Sequence, residues 1–280
     1  MNNNKQFTVV GPGVMGEAII IGLIEEKVTP ANNITAAGPR LERLKELEDL
    51  YRVHSNLDNA AAVVDADVII LCVKPQKLPE VMADLKGKIP PDALVISIVA
   101  GATLQSLITG LDHALVVRSM PNTPAQIGAG MTVWTQSPAT SESQHSLAQQ
   151  ILTALGSEIY VKDESYIDMA TAVSGTGPAY VFLFLEAMID AGVHLGLPRR
   201  IAEEMVMQTI KGSIAYYGQN DKHPARLRNQ VTSPGGTSAT ALYYLEKMGF
   251  RTAISRAIWA AFTRSQELGK GQKHQDPEKI

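Results

Sequence analysis

The chain changes character near its middle. From Phe7 to Met120, short apolar runs alternate with stretches of helical period. Phe7–Val10 reads as a buried strand, and EAIIIGLIEE after it has helical spacing. Asn33–Ala37 predicts a second strand, followed by the helix LERLKELEDL. Ala66–Val73, Ala93–Val99 and Leu115–Met120 predict three more. Apolar strands separated by helices are the mark of a parallel sheet covered on both faces. From about Asp163 the strand signals stop. Tyr180–His194 is apolar nearly all round, and its polar residues Glu186, Asp190 and His194 fall on one narrow stripe. Further helices are predicted from Pro198 to about Tyr217, over PARLRNQ, and over ATALYYLEKMGF after the reversal Pro234-Gly235-Gly236. The pattern predicts an α/β Rossmann-like amino-terminal domain over 1–162 and an all-α carboxy-terminal domain over 163–280.

A helix apolar on most sides needs cover. The second domain is too short to supply it alone, so a second copy is expected, as an intertwined homodimer. Composition agrees with a compact soluble chain: 45% of residues are apolar and 19% charged. A net charge of −3 gives no reason to expect nucleic acid or an anionic membrane as partner. The opening MNNNKQF lacks the apolar core of a signal peptide, and no unbroken apolar run reaches the roughly 18 residues of a bilayer span. The single Cys72 lies in VIILCV, so no disulfide can form within the chain, and it reads as a buried strand thiol. A reducing, cytoplasmic setting is expected. No metal is expected. The tail after Leu268 is polar.

The candidate chemistry starts at Gly11-Pro-Gly-Val-Met-Gly16, a GxGxxG between a strand and a helix. Gly11 allows a tight turn, Gly13 lets the backbone approach a pyrophosphate, and Gly16 lets the helix lie close to the sheet. The second strand ends in Ala37-Gly38-Pro39-Arg40, with no carboxylate for a ribose 2′-hydroxyl. Arg40 can pair with a 2′-phosphate, which favours NADPH over NADH; a solvated helix-start charge is the other reading. Lys74-Pro75, Ala100-Gly101 and Pro121-Asn122 end strands and are candidate walls of one crevice. Late in the chain, VTSPGGTSAT (231–240) gathers hydroxyls and no charge. It places Thr237 and Ser238 at a helix amino end, where free N–H groups suit a carboxylate. A simple N-cap by either residue is the alternative.

Together GPGVMG, CVKPQ, SMPNTPAQIGAG, SGTGPAY, GLPRR and LRNQVTSPGGTSATALYYLE resemble the pyrroline-5-carboxylate reductases, in order from Phe7 to Leu268. The resemblance implies reduction of 1-pyrroline-5-carboxylate to L-proline by hydride transfer from NAD(P)H, the last step of proline biosynthesis. It implies a Rossmann domain joined to a helical dimerisation domain, with some members assembling into rings of dimers. It places Val10, Gly11, Pro12, Gly13, Val14, Met15, Asn59, Cys72, Val73, Lys74, Pro75, Val99, Ala100 and Gly101 against the cofactor. Gln230 stands where the family has a polar amide near the nicotinamide. Glu164, Thr237 and Ser238 are placed against the substrate. In the mechanism this suggests, the Gly236–Thr237 region binds the carboxylate and Ser238 Oγ meets the ring nitrogen. Four positions depart from the family pattern. Ser238 replaces Thr, Thr176 replaces Ser, Gly16 replaces Ala, and Ala37 replaces a small hydroxyl residue, which leaves NADH as an alternative cofactor. Two other functions are weighed. A β-hydroxyacid dehydrogenase would use Lys211, and a non-catalytic dinucleotide-binding dimer would leave 231–240 without a purpose. Lys74 is a second candidate proton donor.

Overall fold

The computed structural model describes residues 4–219 and 223–270. The first strands and helices are β1 (Phe7–Val10), α1 (Val14–Glu25), β2 (Ile34–Ala37), α2 (Leu41–Tyr51), β3 (His54–Asn56), α3 (Asn59–Ala62), β4 (Val68–Leu71) and α4 (Leu78–Leu85). Then come β5 (Leu94–Ser97), α5 (Leu104–Leu111), β6 (Val116–Met120), β7 (Gly130–Gln136), α6 (Glu142–Thr153) and β8 (Gly156–Tyr160). β1 matches its apolar run, and the other four predicted strands are shorter than theirs by one or two residues at one or both ends, because the flanking residues serve turns.

All eight strands form one sheet in the order β3-β2-β1-β4-β5-β6-β7-β8. The first six are parallel; β7 runs antiparallel to β6, and β8 is parallel to β7. Strand alternation divides the core. Val68, Ile70, Leu94 and Ile96 face one layer with Ile19, Ile20 and Leu23 of α1, Leu44 and Leu47 of α2, and Leu147 and Ile151 of α6. Ile69, Leu71 and Val95 face the other, with Leu78, Val81 and Leu85 of α4 and Leu107 and Leu111 of α5. Each buried side chain of this size contributes about 1.5–3 kcal/mol relative to exposure. The order of the six parallel strands reverses between β1 and β4, which puts the ligand crevice at their carboxyl ends.

The rest is helical: α7 (Ser165–Ala170), a π turn over Thr171–Gly175, α8 (Gly177–His194), α9 (Arg199–Gly218), α10 (Pro224–Gln230), α11 (Thr237–Lys247) and α12 (Phe250–Gly269). Pro178 stands in the first turn of α8, where its missing N–H costs nothing. Two compact units result, Met1–Pro178 with Ala260–Ile280, and Ala179–Trp259. The second unit has almost no interior. Among its described residues only Ala202 and Val206 are buried, while Val181, Phe182, Leu183, Phe184, Met205 and Met207 are exposed. By length and composition the helical run Ser165–His194 would reach across a membrane. The unbroken-run criterion missed it because Ser174, Gly175, Thr176, Gly177 and Pro178 interrupt the apolar residues.

Candidate functional site

A cleft of about 650 Å³ opens at the reversal point of the sheet. Gly11, Pro12 and Gly13 line it from the end of β1, Gly38 to Arg40 from β2, Asp58 and Asn59 from α3, and Cys72 to Lys74 from β4. Gly11 needs to be glycine. Its φ is +82°, its N–H donates to the Ala37 carbonyl at 2.8 Å, and a Cβ would lie 3.0 Å from the Val73 nitrogen. Gly13 is different. It caps α1 with an ordinary extended backbone, and a Cβ there would meet nothing within 4 Å. The protein has no packing use for the bare backbone at Gly13.

The cations around the cleft divide into engaged and free. Arg43 donates to the Pro12 carbonyl, Glu17 and Glu46. Burial works against its charge, but the hydrogen bonds it donates to Glu46 and Glu17 outweigh it and raise the pKa. Tyr51 also donates to Glu17; burial, then that bond, push its phenol up. Lys77 is paired with Glu80 at 2.8 Å. Arg40, the exposed N-cap residue of α2, and Lys74 have no ion pair among the described residues. Asn59 adds a buried side-chain oxygen with no hydrogen-bond partner among the described residues. Cys72 is half-buried as a residue, yet desolvation pushes its thiol strongly up, as suits a strand thiol and not a nucleophile.

The remaining candidates lie elsewhere. Val10 is buried behind the glycine turn, Val14 and Met15 belong to the first turn of α1, and Pro75 starts a short 3₁₀ turn. None of these four lines the cleft. Val99, Ala100 and Gly101 form a turn after β5 and do not line it either. Asn122 ties two motifs together: it donates to the Ser174 carbonyl at 3.2 Å and accepts from the Met131 N–H at 2.9 Å.

Glu164 is not a free carboxylate. Its Oε1 accepts from the Leu104 N–H and from Arg118, each at 2.7 Å. Arg118, which the sequence reading passed over, also reaches Asp168 at 2.7 Å.

In the second unit, Gly236 and not Thr237 or Ser238 is the N-cap of α11. Thr237 and Ser238 are its first two helical residues. The Gly236 N–H donates to the Ser233 carbonyl at 3.0 Å, so the free donors are the N–H groups of Thr237, Ser238 and Ala239. Thr232 and Thr240 turn their hydroxyls back onto helix carbonyls, whereas those of Thr237 and Ser238 have no partner among the described residues. Ser238 is half-buried, Gln230 ends α10 exposed, and Lys211 is exposed on α9. A helix amino end with two spare hydroxyls and no neighbouring charge in its own loop suits a small carboxylate.

Residues 164–268 match the model of the pyrroline-5-carboxylate reductase dimerisation family, and residues 6–101 match the coenzyme F420-dependent NADP oxidoreductase family. A pyrroline-5-carboxylate reductase of Synechocystis is 43% identical over 95% of this chain and 98% of its own. The crystal structure of the Plasmodium falciparum pyrroline carboxylate reductase with NADP bound superposes with a TM-score of 0.88 at 30% identity, covering 95% of this chain and 99% of that one. A Coxiella burnetii pyrroline-5-carboxylate reductase gives 0.85 at 35% identity, covering 97% of this chain and all of the other. Similarity of this extent, over both the nucleotide cleft and the hydroxyl-rich helix start, means that the chain belongs to the pyrroline-5-carboxylate reductase family.

Proposed function

We propose that this protein reduces 1-pyrroline-5-carboxylate to L-proline with NADPH, as a cytoplasmic homodimer. Residues 163–280 serve as its dimerisation and substrate-binding domain. The observation that carries the substrate assignment is the amino end of α11, with three unpaired N–H groups and two unpaired hydroxyls in an uncharged loop. A charged loop there would add desolvation cost without helping an imine.

The cleft fits a dinucleotide on this chain's own features. Gly13 leaves open the space a Cβ would fill, the amino end of α1 suits an anionic group, and the buried Asn59 Oδ1 has no hydrogen-bond partner among the described residues. Arg40 is the cation for a 2′-phosphate, being unpaired where Arg43 is already neutralised by two carboxylates. The reduced nicotinamide, when bound, supplies the hydride that reaches the imine carbon. The N–H groups of Thr237 to Ala239 and the Thr237 hydroxyl hold the substrate carboxylate. Ser238 Oγ hydrogen-bonds the ring nitrogen, which leaves the reaction as a protonated amine. The imine takes a proton near neutral pH, so Lys74 need not act as an acid.

The direct test is oxidation of NADPH and of NADH by pyrroline-5-carboxylate, run in parallel with the unaltered protein and followed by absorbance. Turnover with NADPH preferred is expected; nucleotide binding without turnover would return the protein to the non-catalytic reading. Ser238→Ala is expected to lower kcat about 10- to 100-fold, the usual loss for one positioned donor. Ser238→Thr should retain the rate. A Ser238→Ala enzyme with wild-type kcat would remove that hydroxyl from the mechanism.

A further inference from the structure

The most unusual polar group outside the cleft is Arg118. It lies in the middle of β6, paired in register with Ser97, the last residue of β5, and its side chain is 3% exposed. A guanidinium this deep is expensive to bury, and removing one partner of such a pair is strongly destabilising. Its Nε has no hydrogen-bond partner among the described residues. Charges held this way are not explained by stability, since apolar residues of the same volume would serve as well or better. The explanation lies in where its two arms lead.

One arm reaches Glu164, whose same oxygen takes the N–H of Leu104 at 2.7 Å. Leu104 is the first residue of α5, three residues beyond Gly101. The other arm reaches Asp168, whose Oδ1 also takes the hydroxyl of Ser265 on α12 at 2.9 Å. That helix ends against the same turn. Gly101 has φ +77°, and a Cβ on it would lie 2.8 Å from the Gly269 nitrogen and 2.9 Å from Leu268 Cβ. Both arms therefore end beside the Val99–Thr103 segment: one on Leu104, which follows it, the other on the helix whose end packs against Gly101. Within the segment the Ala102 N–H donates to the Val99 carbonyl and the Val99 N–H to Ser97 Oγ, each at 3.2 Å, Thr103 caps α5, and Val99 and Ala102 are buried in the second core layer; no hydrogen bond among the described residues holds Ala100 or Gly101. It stands at the carboxyl end of β5, beside β4, whose own end lines the nucleotide cleft.

We infer that Arg118 is a positioning residue for the cofactor: with Glu164, Asp168 and Ser265 it clamps the Val99–Thr103 turn, which stands outside the cleft lining but at the carboxyl end of β5, next to the strand whose end does line it. Glu164 then acts on the nucleotide through this turn. The inference rests on the reductase reading above, but its main readout does not require turnover.

The test is nucleotide affinity, measured by fluorescence titration of NADPH, beside the KM for pyrroline-5-carboxylate. Arg118→Lys keeps the charge but loses the two-armed fork. It should raise the NADPH Kd about tenfold or more, with substrate KM within about twofold at saturating nucleotide. Glu164→Gln, which can still accept from Leu104 but loses the ion pair, should raise the Kd by about three- to tenfold. Should Arg118→Lys fail to fold, Ser265→Ala replaces it. That change removes one hydroxyl from the second arm and should weaken NADPH by about threefold with an unchanged circular-dichroism spectrum. Folded variants whose NADPH Kd stays at the wild-type value overturn the clamp. So does a Glu164→Gln protein in which only the substrate KM rises, which would place Glu164 directly on the substrate. Loss of the reductase reading looks different: the unaltered protein would bind NADPH and turn over nothing, and the Kd comparison would still decide for or against Arg118. An unaltered protein that binds neither nucleotide overturns both.

Discussion

Gly13→Ala is expected to weaken NADPH binding about 10- to 100-fold while leaving the melting temperature unchanged. The separation of the two effects is the point. A methyl at position 13 meets no protein atom within 4 Å and asks for no unusual backbone angle, so the folded chain accepts it. A pyrophosphate drawn to the amino end of α1 does not, because the methyl holds it off the N–H groups. Hydrogen bonds to a charged group are worth about 1.5–3 kcal/mol each, so losing one accounts for the fall. Gly11→Ala provides the contrast. There the added carbon presses on the Val73 backbone, and a left-handed φ costs a non-glycine residue about 1–2 kcal/mol, so stability and affinity fall together. Calorimetric melting and NADPH titration of the two variants check this. A Gly13→Ala protein with wild-type affinity would mean that nothing approaches the turn.

The other large effect is predicted for the exposed face of α8. The double substitution Phe182→Glu with Leu183→Lys should convert a dimer to a monomer at micromolar concentration and abolish activity. These residues are 61% and 67% exposed in the single chain. Their unit buries only Ala202 and Val206 among its described residues, which is far too little to hold five helices together. A symmetric pair would bury each side chain twice, for roughly 6–12 kcal/mol in all, so their loss shifts dissociation by four orders of magnitude or more. Light scattering on a sizing column reads the mass. The apolar run Ser165–His194 offers a competing cover, a lipid bilayer. Flotation of the unaltered protein with phosphatidylcholine vesicles would favour that cover, whereas a dimer left behind in solution favours the second copy.

Much of this architecture is legible in the residues themselves. Five apolar runs became five parallel strands, since burial on both faces leaves no polar position to break them. The glycine turn, the start of α8 at Gly177-Pro178 and the reversal at Pro234–Gly236 are punctuated by residues whose backbone preferences decide the local path. Three strands were not read. β3 is His54-Ser55-Asn56, polar throughout, and it exists only because β2 offers it an edge. β7 and β8 carry apolar residues, among them the buried Trp134, but nothing local states that β7 turns back antiparallel to β6.

The division in the site is similar. Glycines, a free Arg40 and a cluster of hydroxyls announce themselves by type and spacing, and Arg43 could have been found three residues after Arg40 on the same helix. Arg118 could not. In sequence it is one cation in an apolar strand; its partners Glu164 and Asp168 lie 46 and 50 residues away, and Ser265, which bonds to Asp168, lies 97 residues beyond that. Nor does the chain alone say that Gly236, by giving its N–H to Ser233, hands the first free donor to Thr237. Local backbone chemistry and burial period are short-range and survive in the order of residues. Which charge meets which, and which N–H is left over, depends on distances that only packing sets.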